Sequence, residues 1–239
     1  MAKHNTCQHG IRNHVHKKEQ YWGLHISRSV APGQPIFESE FEKLKAFNSD
    51  IIRFKKIGEL GLTLVMVDPL LHDIFDMGYH ERVPKKKVST FAAELNSLHE
   101  VSQSDCLHVE IADPKNPYSV YGSRYFGLQV KYNEELYQDR QLIVDHILDR
   151  YQISKNQAKS RLKNLDPHIT LGSIMLKGFD KRQRKELFLN PNSFMDRRMR
   201  EYQSHSVHVG GEKYPFEIPI FPERICLNGV EVVAERSRY

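Results

Sequence analysis

Three cysteines in 239 residues, Cys7, Cys106 and Cys226, are too few and too widely spaced for a disulfide framework. Their odd number points to a reducing compartment, the cytoplasm or another intracellular space. No C-x-x-C pair is present, so a structural zinc site is not expected, and neither a metal nor a cofactor is called for. No apolar run approaches the ~18 residues that span a bilayer. The first residues, "MAKHNTCQHGIRNHVHKKEQ", lack the apolar stretch of a secretory signal. A membrane partner is therefore not expected. Neither G-x-G-x-x-G nor G-x-x-x-x-G-K-[ST] occurs, which removes support for a dinucleotide fold or a P-loop.

What is present is a polar chain that can still bury a core. Apolar residues make up 39% and mean hydropathy is −0.58. Lys and Arg number 35 against 30 Asp and Glu, giving a net charge of +5 and a pI near 9.0. That balance leans toward an anionic partner such as phosphate or nucleic acid. The chain is of a length for one large domain or two small ones, and a monomer is expected.

Residues 1–20 form a polar tail carrying His4, His9, His14 and His16, and 21–239 read as a single domain. "YWGLHISRSV" (21–30) reads as a strand and "FESEFEKLKAF" (37–47) as a short amphipathic helix. "DIIRFKKIGEL" and "LTLVMVDP" read as two strands, the second apolar enough to be buried on both faces. A helix over 90–101 follows, then a strand over 106–113, a proline-containing loop over 114–123 and a strand over 125–132.

"NEELYQDRQLIVDHILDRYQI" is the clearest helix, with Leu136, Ile143, Val144, Ile147 and Leu148 on its apolar face. Asp139, Asp145, Asp149, Arg140 and Arg150 fall on its wet face. "DPHITLGSIML" is a strand. The excursion 177–213 carries nine Lys/Arg against five Asp/Glu and holds a helix around 180–188. "YPFEIPIF" and "RICLNGVEVVAE" close the chain as strands, the latter folding at "NG" into a hairpin. Helices and strands alternate, yet the chain ends strand–turn–strand, which favours mixed α+β over a doubly wound sheet.

Two short strings carry chemistry: "LHIS", with His25 and Ser27, and "PHITL", with His168 and Thr170. In a strand, residues i and i+2 share a face, so each string sets an imidazole beside a hydroxyl. Two such pairs facing one cleft suit metal-free phosphoryl chemistry. One imidazole takes a proton from the attacking oxygen and the other supplies one to the leaving oxygen. The hydroxyls donate hydrogen bonds to the non-bridging oxygens. A rival for the first string is "LHVEI", where His108 is followed by Glu110, a carboxylate that would repel phosphate.

"PHITLG" at 167–172, preceded by the strand "YFGLQVKY" and the long helix, resembles the second H-x-[ST] motif of the two-histidine (2H) phosphoesterase superfamily. "LHIS" is similar to its first motif. That superfamily includes the bacterial RNA 2′,3′-cyclic phosphodiesterases, also called 2′-5′ RNA ligase-like proteins. The resemblance implies a bilobal α+β fold, with antiparallel sheets around a central cleft and helices outside, and insertions near 69–124 and 177–213. It implies metal-independent phosphodiester hydrolysis, or its reverse, on RNA ends or nucleotides bearing a 2′,3′-cyclic phosphate or a 2′-5′ linkage. His25 and His168 would be the catalytic pair, with their order as acid and base open, and Ser27 and Thr170 would hold the phosphate. Trp22, Arg28, Tyr125 and Lys177 are further candidates for substrate contact. A non-catalytic RNA- or nucleotide-binding module of the same fold is the alternative.

Overall fold

Strand and helix signals settle into mixed α+β architecture in a computed structural model of the chain. It describes residues 21–78, 83–95, 106–122, 124–162, 166–201, 207–209, 212–214 and 217–237. The polar histidine tail lies outside the described residues. Among the described residues the strands are β1 (Tyr21–Val30), β2 (Ile52–Phe54), β3 (Gly61–Met66), β4 (Leu107–Glu110), β5 (Tyr118–Tyr121), β6 (Tyr125–Gln129), β7 (His168–Ile174), β8 (Val207–Val209), β9 (Glu212–Tyr214) and β10 (Arg224–Ser237). The helices are α1 (Pro35–Asn48), α2 (Asp68–Ile74), α3 (Lys85–Glu94), α4 (Glu134–Arg150), α5 (Lys155–Arg161), α6 (Lys181–Leu189) and α7 (Pro191–Glu201). None of these helices is long and apolar enough to cross a membrane.

One antiparallel sheet organises the chain, in the order β4-β10-β1-β3-β7-β6-β5, with β2 also on β7; β8 and β9 pair separately. The sheet narrows at its middle. β3 meets β7 only through Gly61 opposite Thr170 and Leu62 opposite Ile169. A half built of β4, β10, β1 and β3 thus joins a half built of β7, β6, β5 and β2 along a short seam. Glycine is needed at position 61 on the β1 side of β3, because a Cβ there would come within 2.9 Å of the Arg28 carbonyl oxygen.

Alternation along the strands explains the layering. Leu24, Ile26 and Arg28 of β1 are fully buried, as are Ile169 and Leu171 of β7. They share a face with Leu62, directly opposite both Arg28 and Ile169. α4 buries Leu136, Ile143, Val144, Ile147 and Leu148. Its first turn is capped by Asn133, whose side chain accepts the Leu136 N–H at 2.8 Å. α1 buries Phe37 and Phe41; the Phe37 ring lies 5.5 Å from Phe221, and the Phe41 ring 5.7 Å from Phe54.

Several sequence expectations are corrected. Cys106 and Cys226 are joined by a disulfide across a Cα–Cα distance of 6.0 Å, contrary to the reading that the cysteines are too far apart to pair. Strand pairing of β4 with β10 brings together what 120 residues of sequence separate. "NG" makes no hairpin: Asn228 and Gly229 lie inside the single strand β10. The pairing register shifts there between Arg28 and Val30, and the Asn228 carbonyl accepts Arg28 Nη1 at 2.8 Å. The two residues are absorbed as an irregularity in a ladder rather than used as a turn.

"EIPIF" is not a strand. Pro219 and Pro222 have no N–H for a ladder, and Phe221 anchors the segment on α1 instead. The segment 114–123 contains β5, held by Tyr118 stacked on Phe126 with centroids 5.3 Å apart. Of 51–61 only Ile52–Phe54 is a strand, and Ile57–Glu59 forms a 3₁₀ turn. α3 begins at Lys85, earlier than expected, and α7 was not anticipated.

Candidate active site

Ser27 of β1 is directly opposite Thr63 of β3, and Gly61 of β3 is directly opposite Thr170 of β7. Paired residues in antiparallel strands point to the same face. His25 is two residues from Ser27, and His168 two from Thr170. All five side-chain positions, His25, Ser27, Thr63, His168 and Thr170, therefore lie on the sheet face opposite to Ile26, Leu62 and Ile169. Extending the β3–β7 register by one residue sets His168 level with Thr63. The two histidine strands are separated by β3 alone, two strand spacings or ~10 Å between backbones.

The floor is small beside His168, where Gly61 has no side chain and Thr63 a short one; opposite His25 it carries the exposed Met66. β6 adds Gly127, opposite Thr170. A Cβ on Gly127 would stand 2.5 Å from the Ile169 carbonyl oxygen, so β6 can approach β7 this closely only through glycine.

The His168 imidazole is held from two sides. Its Nδ1–H donates to the Asp166 carbonyl at 2.7 Å, which leaves Nε2 as the acceptor nitrogen of the neutral ring. The Tyr121 ring lies flat on it, with centroids 3.5 Å apart and planes 12° from parallel. Burial pushes the imidazole below its ordinary pKa. The Asp166 carbonyl and carboxylate work against that shift, and the Lys55 ammonium adds to it. A ring so placed is neutral at pH 7, with a lone pair available to take a proton. Burial also raises the Tyr121 phenol, which stays protonated.

The other sequence candidates are dispersed. Arg28 is fully buried on the opposite face, where its Nε and Nη2 donate to the two Asp139 carboxylate oxygens at 2.8 and 3.0 Å. It cannot meet a phosphate on the His168 face, and Asp139 belongs to the buried face of α4 rather than the wet one. Ser27, itself buried, shares the His25 face of β1, so the next residue must point to the other face. Tyr125 is exposed at the start of β6, opposite Ser173, at the far end of β7 from His168. Lys177 is exposed beyond that same end. Trp22 lies in β1, three residues before His25; its side chain is outside the described residues. His108 is on β4, four strand spacings from β7, or ~19 Å.

Thr63, Lys55 and Tyr121 were not singled out in the sequence. Thr63 could have been found from the alternation of "LTL" had the β1–β3 pairing been known. Lys55 is bonded through its N–H to the Leu171 carbonyl at 2.9 Å, which ties it beside the motif strand. No local pattern marks either that contact or the Tyr121 stack.

No protein-family model and no curated protein matches the chain. Among solved structures it is similar to a phosphoesterase, at 12% identity and TM-score 0.43, over 91% of this chain and 90% of that one. It is also similar to Escherichia coli LigT in its apo form, at 13% identity and TM-score 0.43, over 90% and 89% of the two chains. LigT complexed with phosphate gives 13% identity and TM-score 0.39 over 92% and 90%.

Proposed function

We propose that the chain is a metal-independent phosphodiesterase that uses His25 and His168 as an acid–base pair on RNA ends or nucleotides. The observation that carries this reading is the common sheet face. Two H-x-[Ser/Thr] strings, distant in sequence, set both imidazoles and both hydroxyls on one surface across a single strand, which presents Gly61, Thr63 and, opposite His25, Met66 on that face. His108, the rival partner, is twice as far away in strand spacings.

The state of His168 supports a direction for proton flow. Its bond to the Asp166 carbonyl and its lowered pKa favour the neutral ring with a bare Nε2, so His168 takes the proton from the attacking water. His25 then supplies the proton to the leaving ribose oxygen. Ser27 and Thr170 donate to the non-bridging oxygens as charge builds there, with Thr63 between them. Lys55 adds positive charge beside His168. The substrate class, a 2′,3′-cyclic phosphate or a 2′-5′ linkage, follows from the resemblance of "PHITLG" to the two-histidine motif. Such a ring or linkage places the leaving oxygen on the ribose beside the phosphorus, within reach of a second imidazole.

The test is turnover of a panel of 2′,3′-cyclic nucleotides and 2′-5′ oligonucleotides in excess EDTA, beside His25→Ala and His168→Ala. Wild type is expected to turn over at least one substrate, with each variant down by about 10²- to 10⁴-fold, the usual value of one acid or base. Undiminished turnover by His25→Ala overturns the pairing. RNA binding with no turnover of any substrate identifies a binding module instead.

A further inference from the structure

A second cluster of reactive side chains lies at the β4 edge of the sheet, separated from β3 by β10 and β1. Cys226 of β10 is directly opposite His108 of β4, and Cys106 is two residues before His108. The three side chains therefore share one face, and one ligand atom from each comes within 4.8 Å of the others. Cys106 and His108 are exposed and Cys226 is half-buried, so the cluster is open to solvent. The Cys106 sulfur is 3.9 Å from His108 Nδ1.

We propose that Cys106, His108 and Cys226, when the cysteines are reduced, form a binding site for a thiophilic divalent cation of the zinc class. In this structure the two sulfurs are bonded to each other. A low-molecular-weight thiol would reduce that bond, two electrons and two protons yielding two Cys thiols while the reductant becomes its own disulfide. Metal binding then releases the two thiol protons and forms two metal–sulfur bonds and one metal–imidazole bond. Two thiolates neutralise the dication, and with the neutral imidazole as third ligand one tetrahedral position is left for water.

The surroundings fit that charge. Arg224, two residues from Cys226 on the same face, reaches the Glu110 carboxylate at 3.4 Å, and Lys131 reaches it at 3.0 Å. Two cations against one carboxylate leave an excess of positive charge near the cluster, which favours the thiolate that a metal requires. The site and the disulfide exclude one another, so occupancy follows the redox state of the pair.

Cobalt titration of the full chain tests this. After reduction by a phosphine and anaerobic desalting, one equivalent of Co²⁺ is expected to produce thiolate-to-cobalt charge-transfer absorption. Added Zn²⁺ should abolish it. The band should vanish in Cys226→Ser and in the oxidised wild type, and persist in Cys7→Ala. His108→Ala alters an exposed side chain, so its folding is secure, and it should bind ~10-fold or more weakly through loss of one of three protein ligands. Cys7, set between His4 and His9, is the other source of a thiolate band, and Cys7→Ala removes it. The proposal is overturned if the reduced wild type shows no band, if the band survives oxidation, or if His108→Ala binds cobalt as tightly as wild type.

Discussion

His168 and Tyr121 stack face to face, centroids 3.5 Å apart, although the backbone register places Tyr121 near the far end of β7. The phenol ring therefore leans back along the sheet and covers one face of the imidazole. The cover excludes water and supplies part of the burial that depresses the His168 pKa. Tyr121→Phe keeps the ring and should leave the pH–rate profile in place. Tyr121→Ala exposes the imidazole, and its pKa should rise toward the ordinary ~6.5. Titration of His168 by NMR checks the shift without relying on turnover. An unchanged titration in Tyr121→Ala removes this role.

The lowered pKa also sets a pH dependence of stability. A histidine harder to protonate when folded binds fewer protons than the unfolded chain in the region between its two pKa values. Its contribution is complete above the unfolded value and is lost as pH falls through the folded one. Wild type should therefore lose thermal stability on acidification below about pH 6.5 more steeply than His168→Gln. Calorimetric scans of both proteins across that window provide the measurement, and parallel curves would contradict it.

How much of this was legible in the sequence depends on the range of the interactions. "PHITLG" announced its strand through alternation alone, and α4 announced itself through helical spacing. The position of Arg28 on the other face follows from the same alternation once Ser27 is placed on the His25 face. Its partner Asp139 was unreadable, because spacing cannot distinguish a wet carboxylate from one met by a guanidinium from another strand. "NG" misled for a related reason. A dipeptide that favours a turn was overridden by a long ladder with β1, by Arg28 donating to the Asn228 carbonyl and by the Asn228 amide donating to the Ser29 hydroxyl. Cys106, just before β4, meets Cys226 only because β10 returns to lie between β4 and β1, a matter of topology that composition does not contain.

The Arg28–Asp139 pair supplies a stability prediction. Both side chains are almost wholly withdrawn from solvent, and the pairing is bidentate. Asp139→Ala strands a buried guanidinium and should cost about 3–5 kcal/mol in urea unfolding. Arg28→Met with Asp139→Leu removes both charges and should recover most of that loss. A double variant no better than Asp139→Ala would show that the ion pair itself, and not the avoidance of an unpaired charge, holds β1 to α4.

Gly127 should be as intolerant for a steric reason. Alanine there places a methyl against the Ile169 carbonyl, a backbone atom that cannot rotate away. The β6–β7 ladder must shift beside Thr170. Gly127→Ala is expected to lose about 1–3 kcal/mol of stability, the usual cost of forcing an extra carbon into a packed site. If stability were unchanged, β6 would have more freedom than the pairing implies.

Lys55 is the sharpest test of how the proposed site handles charge, because its effects on binding and on the proton acceptor have separate readouts. Its ammonium lowers the His168 pKa. If it also meets the phosphate, Lys55→Met removes one hydrogen bond to a charged group, worth ~1.5–3 kcal/mol, and should raise KM about tenfold or more. The same change relieves repulsion of the imidazolium, so the acid limb of the pH–rate profile should move to higher pH. A lysine acting only through His168 would shift the limb and leave KM alone; one acting only on substrate would raise KM and leave the limb alone. Both changes together are expected, since the charge near the imidazole is set beside the same strand that carries Thr170.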